Sequence, residues 1–357
     1  MKKKWKILLL IAVLLIIARI LLPYFLEKYV NKTLNDIPGY KGQVEDIDVA
    51  LYRGAYVIEG LKLAKESASF DSPLLNFPKS DISIEWKSLF KGRIVSEIVL
   101  HSPEVNYIFE HQKKNGSEEK PDVNDWTNAL TDLVPIKINH LEAHDGKLNF
   151  VQFSADPNID LVMKNIFLTA TNLQNVKRAD DVLPSTVNAT AISFGEGKAS
   201  LNGRINLMKK IPDMDMEFSL EKANVTALNE MSLKAVGVDF ASGTFELFAE
   251  VAIADGYLKG YLKPMFINTK LIGEEDKGFF EKIWEGFVGV FKFLFKNQGT
   301  DTLATKVPLE GDLNNVDTGV FSTVLNIFKN AWIKAFTTDV DEDINYKEAV
   351  EESKKDN

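Results

Sequence analysis

Between Gln43 and Phe109 the chain repeats one pattern: short runs in which apolar and polar residues alternate, each closed by turn residues. DIDVAL carries Ile47, Val49 and Leu51; VIEGLKL carries Val57, Leu61 and Leu63; DISIEW carries Ile82, Ile84 and Trp86; EVNYIF carries Val105, Tyr107 and Phe109. A side-chain period of two belongs to a β-strand. Each run therefore puts its apolar set on one face of a sheet and Asp46, Asp48, Ser83, Glu85 and Asn106 on the other. Arg53-Gly54, Ser72-Pro73, Lys91-Gly92 and Ser102-Pro103 separate the runs, with Gly supplying positive φ and Pro ending the ladder. Such short connections predict antiparallel neighbours, in a sheet that is apolar on one side only.

The same alternation returns later. ASLNGRINL places Ala199, Leu201, Ile205 and Leu207 on one face, with Gly203 among them; MDMEFSL places Met214, Met216, Phe218 and Leu220; FELFAEVAI places Phe245, Leu247, Ala249, Val251 and Ile253. Gly195-Glu196-Gly197 and Asp255-Gly256 read as the intervening hairpin turns. Roughly 14 to 18 strands follow from these signals. A sheet that large must coil, split or close. Two sheets packed face to face would bury the same residues with no ligand, whereas a coiled sheet would leave them lining an open groove. The residues that would line it are Ile47, Val49, Leu51, Ile82, Ile84, Trp86, Leu201, Ile205, Met216, Phe218, Leu247 and Val251.

The N-terminus has a different character. Lys2, Lys3, Lys4 and Lys6 precede an apolar run from Ile7 to Leu26, broken only by Arg19, Pro23 and Tyr24. About 20 apolar residues cross a bilayer, so the run suffices if Arg19 snorkels toward the interface. Ile7, Leu14 and Ile20 are representative of this anchor. The basic stub should stay cytoplasmic, which sends residue 27 onward to the far side. Glu27 to Asp36 then reads as a separate short amphipathic helix, and Ile37-Pro38-Gly39-Tyr40 as a turn into the first strand.

Elsewhere, residues 111–122 are polar and aperiodic, as in a solvent loop, and 125–133 can form one short helix. Residues 278–296 and 319–336 carry apolar residues at helical spacing and read as two amphipathic helices, on either side of a last strand at 306–313. The acidic, aperiodic stretch 339–357 reads as disordered.

Composition narrows the function classes. The 357 residues carry a net charge of −9, which argues against a nucleic-acid partner, because phosphate binding is driven by Lys and Arg. With no cysteine, disulfides, zinc ribbons and thiol nucleophiles are excluded. His140, Glu142, His144 and Asp145 are metal-ligating types, but the segment reads as a strand entering a turn at Asp145-Gly146, with no four ligands nearby. Gly195-Glu196-Gly197-Lys198 lacks the spacing and the following helix of a phosphate loop. With no G-x-S-x-G elbow and no recognisable carboxylate pair, the expectation is a non-enzyme with no cofactor.

The anchor, taken with Tyr29-Val30-Asn31, Ile37-Pro38-Gly39-Tyr40, Leu51-Tyr52-Arg53-Gly54-Ala55-Tyr56, Ile84-Glu85-Trp86, Leu89-Phe90-Lys91-Gly92 and Glu97-Ile98-Val99-Leu100 with Pro103, resembles the AsmA-like proteins of the Gram-negative envelope. Ser242-Gly243, Asp255-Gly256, Gly260-Tyr261 and Asn330-Ala331-Trp332 extend the resemblance along the chain. It implies an inner-membrane protein with its bulk in the periplasm, whose long antiparallel sheet coils into an open apolar trough with two C-terminal helices. The division would be a cytoplasmic stub at 1–6, an anchor at 7–26, a β domain at 27–337 and a tail at 338–357. Phospholipid acyl chains are the implied partner, with other envelope proteins and a role in outer-membrane maintenance. A structural tether that binds no lipid is the alternative. Sixteen strands would give a trough of about 75 Å, short for a complete periplasmic bridge.

Overall fold

A computed structural model describes residues 3–37, 39–50, 54–66, 73–92, 95–108, 138–152, 159–174, 181–207, 209, 211–236, 239–272, 302–304 and 306–314. The fold is mainly β, and fifteen strands form one sheet. They are β1 (Tyr40–Gln43), β2 (Asp46–Ala50), β3 (Ala55–Lys65), β4 (Leu75–Ile84), β5 (Ser96–His101), β6 (Glu104–Ile108), β7 (Ile138–Gln152), β8 (Ile159–Thr171), β9 (Ser185–Ile192), β10 (Lys198–Asn206), β11 (Asp213–Asn224), β12 (Phe240–Ala254), β13 (Tyr257–Leu271), β14 (Thr302–Ala304) and β15 (Val307–Asp312). Neighbours in sequence are mostly neighbours in the sheet. Leu51, the solvent loop, the helices expected at 125–133, 278–296 and 319–336, and the acidic tail lie outside the described residues.

Antiparallel pairing holds along the sheet except at β7, which runs parallel to both β5 and β6. Parallel neighbours need a long connection, and 29 residues separate the end of β6 from the start of β7 in sequence. Ser102-Pro103 is accordingly not a turn between hairpin strands. It kinks one continuing line of strand between β4 and β7, with Ser102 at φ 49°, so that β5 and β6 lie end to end against β7. β1 with β2, and β14 with β15, likewise share one rank beside β3 and β13. Fifteen strands therefore make only twelve ranks. At about 4.8 Å per rank the sheet is roughly 50 Å across, shorter than a strand count alone implies.

Asp255 (φ 49°) and Gly256 (φ 81°) make the tight β12–β13 hairpin, the two positive φ values that a type I′ turn requires. Gly60, at φ 64°, interrupts the alternation within β3. Buried positions switch there from Ile58 to Leu61 and Leu63, and Val57 lies opposite Asp48 on the other face.

Helix α1 (Lys3–Asn35) is continuous, with Pro23 inside it. The short helix expected after the anchor is therefore its last turns. Leu22, Leu26, Val30 and Leu34 pack with Ile47, Val49, Ile58 and Ile82 in one core cluster. Ile7, Leu14 and Ile20 are exposed. Among the described residues no helix is long and apolar enough to cross a membrane.

Two further clusters close the other end of the sheet. Phe240, Phe245 and Phe266 pack with Leu220, Val225 and Leu228, the last two from a 3-10 turn that leads into α3 (Asn229–Val236). Leu258, Leu309 and Leu313 pack with Ile253.

Candidate functional site

Residues directly opposite across a ladder share a face, so the register assigns every side chain to one side. One row crosses all twelve ranks: Val49, Tyr56, Ile82, Ile98, Leu141, Ala170, Val187, Gly203, Met216, Val251, Gly260 and Leu309. Shifting by one residue gives Asp48, Val57, Asp81, Val99, Glu142, Thr169, Asn188, Asn202, Glu217, Glu250, Tyr261 and Pro308. The first row carries no charge and the second carries five acidic side chains. The sheet is one-sided from edge to edge.

Burial divides the apolar face into three zones. Under α1, Ile47 (1% exposed), Val49 and Ile82 are sealed in the core; at the far end Leu258, Leu262, Val307 and Leu309 are sealed as well. Between them Leu168, Val187, Ala189, Leu201, Ile205, Met216 and Phe218 are only half-buried, although they lie in the interior of the sheet. Ala170, Ala199, Leu220 and Ala249 on the same face are buried, Ala199 and Leu220 within the phenylalanine cluster. Among the described residues no helix or strand closes over this central zone as α1 closes over the first.

The residues singled out from sequence separate along the same lines. Leu201, Ile205 and Met216 belong to the half-buried centre, whereas Phe218, half-buried itself, packs against the phenylalanine cluster and Val251 against the Leu258–Leu309 cluster. Leu247 shares the face, opposite Leu220 and Pro264, but packs against the phenylalanine cluster. Ile84 follows Ile82 on β4, opposite Ser96. Trp86 leaves the sheet: it begins the four-residue helix α2 (Trp86–Leu89) and is 49% exposed. Sequence reading missed Leu141, Leu168, Val187 and Ala189. In β9 the inward residues alternate with Thr and Asn, but Ala is too small to make the pattern stand out.

Gly203 and Gly260 both lie in the apolar row. A β-carbon at Gly203 would stand 2.4 Å from the Asp215 carbonyl oxygen, and one at Gly260 2.3 Å from that of Glu250. These strands approach their neighbours more closely than any side chain allows, as strand glycines do where a sheet bends sharply.

The histidine segment sits on the polar face of β7, not in a turn. Asp145 (φ 55°) and Gly146 form a bulge within the strand, facing the Ser102-Pro103 kink. His140 Nε2 and His144 Nε2 lie 2.7 and 2.9 Å from the two oxygens of Glu142. Those hydrogen bonds, from His140 and then His144, hold the Glu142 carboxyl below its usual range against the opposing effect of burial. The His144 ring also stacks on His101 at 5.8 Å and meets Phe167 edge-on at 4.8 Å. Among the described residues no group of three or more His, Asp or Glu side chains is arranged to hold a metal ion. No family model matches the chain, and no curated protein matches it.

Proposed function

We propose that the half-buried centre of the apolar face is a groove for phospholipid acyl chains, in an inner-membrane anchored, AsmA-like periplasmic protein that binds or passes lipid during envelope maintenance and catalyses no reaction. The observation that carries this reading is the contrast in burial along one uninterrupted apolar face: sealed at both ends, half-open between β8 and β11. Partly exposed apolar side chains gathered in the interior of a sheet face support a binding surface there. The apolar run Ile7 to Leu26, with lysines before it, supports the anchor. Each CH₂ taken from water contributes about 0.8 kcal/mol, so one acyl chain gains on the order of 10 kcal/mol, enough to fill a groove without any polar recognition. The headgroup stays in water. At roughly 50 Å the face needs partner proteins to complete a path across the periplasm.

Native mass spectrometry of the full chain in mild detergent tests this reading. The expected result is co-purified phospholipid, lost in Leu201→Asp while the protein stays folded, since an open wall can hydrate the carboxylate. Leu258→Asp, in the sealed zone, should instead unfold the domain, because it buries an unpaired charge. Lipid-free wild type, with Leu201→Asp unfolding as Leu258→Asp does, would favour a closed structural tether.

A further inference from the structure

Helix α1 divides its length between two environments, and its dimensions fix where the sheet lies relative to the membrane. From Arg19 onward the helix is fastened to the first strands. Arg19 Nη2 donates to Asp48 Oδ1 at 2.6 Å, Leu22, Leu26 and Val30 pack into the core, and Asn31 Oδ1 accepts from the Val44 backbone N–H at 2.7 Å. Among the described side chains none before Arg19 packs on the sheet, and the segment from Trp5 to Ala18 spans roughly 21 Å at 1.5 Å per residue. A hydrocarbon core is about 30 Å thick. That segment alone is too short, so a bilayer that contains it must reach past Arg19, into the part of the helix that carries the sheet.

The exposed side of that part is suited to such contact. Tyr24, Phe25 and Tyr29 are 62%, 60% and 63% exposed; at 3.6 residues per turn Tyr24 lies opposite the packed Leu22, Leu26 and Val30, and Phe25 and Tyr29 flank them. Trp5, 66% exposed, lies 19 positions before Tyr24, which is roughly 28 Å along the axis. Aromatic rings at both ends of one bilayer thickness are the pattern of interfacial belts. The Arg19 charge on Asp48 lowers the cost of bringing β2 into that zone.

We propose that the β1–β3 end of the sheet is seated in the headgroup layer, with no linker between membrane and β domain, so that the apolar face begins at the bilayer surface. The proposal rests on the anchor reading of α1 and not on lipid occupancy of the groove.

Because the chain has no cysteine, single substitutions can carry an environment-sensitive fluorophore. Leu14→Cys, Tyr29→Cys, Asp46→Cys and Glu217→Cys would be labelled in the full chain, in vesicles of phosphatidylethanolamine and phosphatidylglycerol doped with lipids bearing a nitroxide on the headgroup or on the acyl chain. The expected result is loss of fluorescence at positions 29 and 46 to the headgroup nitroxide, loss at 14 to the acyl nitroxide, and no loss at 217. Quenching at 14 with position 46 as bright as 217 would overturn the seating and leave the anchor intact. No quenching at 14 would overturn both.

Discussion

Gly203 lies directly opposite Met216, and a β-carbon added at Gly203 would come within 2.4 Å of the Met216 sulfur as well as of the Asp215 carbonyl. The sulfur ends a flexible side chain and can swing away. The carbonyl cannot move without shifting β11, so the glycine is required by the approach of two backbones.

Gly203→Ala should therefore lower stability by about 1 to 3 kcal/mol through forced strand displacement, read as a lower urea midpoint. Asn202→Ala, on the polar face one residue away, serves as the control and should stay within about 0.5 kcal/mol of wild type. Equal effects at the two positions would show that β10 and β11 do not approach as closely as this geometry requires.

Glu142 sets an acid limb. Its folded-state pKa is lowered by hydrogen bonds from His140 and His144, so the stability it contributes is complete above the ordinary carboxylate range and is lost as pH falls through the lowered value. Unfolding followed across that range should show a flatter acid limb for Glu142→Gln than for wild type. An unchanged slope would mean that the His140–Glu142–His144 contacts carry no net stabilisation in solution.

Asp215 has the opposite sign. Burial, and then the Glu250 charge, push its carboxyl up, with Arg204 opposing, so its ionised form costs stability at neutral pH and the cost is relieved as pH falls through the raised value. Asp215→Asn should raise Tm at neutral pH, and the gain should shrink in acid. A constant gain at all pH values would point to packing instead of charge.

The register explains which parts of this architecture can be read from sequence. In β10, β11 and β12 the alternation Leu201-Gly203-Ile205, Met214-Met216-Phe218 and Leu247-Ala249-Val251 is unbroken, so period two alone assigns the face correctly. It fails where the backbone changes hand within a strand. Gly60 shifts the buried set from Ile58 to Leu61 and Leu63, which leaves Val57 on the polar face, and the Ser102-Pro103 kink looks like a turn because both use the same residue types. The parallel placement of β7 is invisible locally, since it depends on a crossover and not on strand composition. Helix α1 runs through Pro23 because packing of Leu22 and Leu26 on the sheet holds the helix on either side of the missing backbone N–H. Trp86 completes an alternating run on paper, yet the chain has already turned into α2.

The central claim, that acyl chains occupy one face of the sheet, is tested most directly by a pair of adjacent positions. Leu201 lies opposite Phe218 on the apolar face and Asn202 lies opposite Glu217 on the polar face. A photoreactive benzophenone side chain at each, in the full chain within native membranes, should crosslink phospholipid from position 201 and not from 202. Equal labelling at the two positions, or none at 201 in a folded protein, would contradict the account.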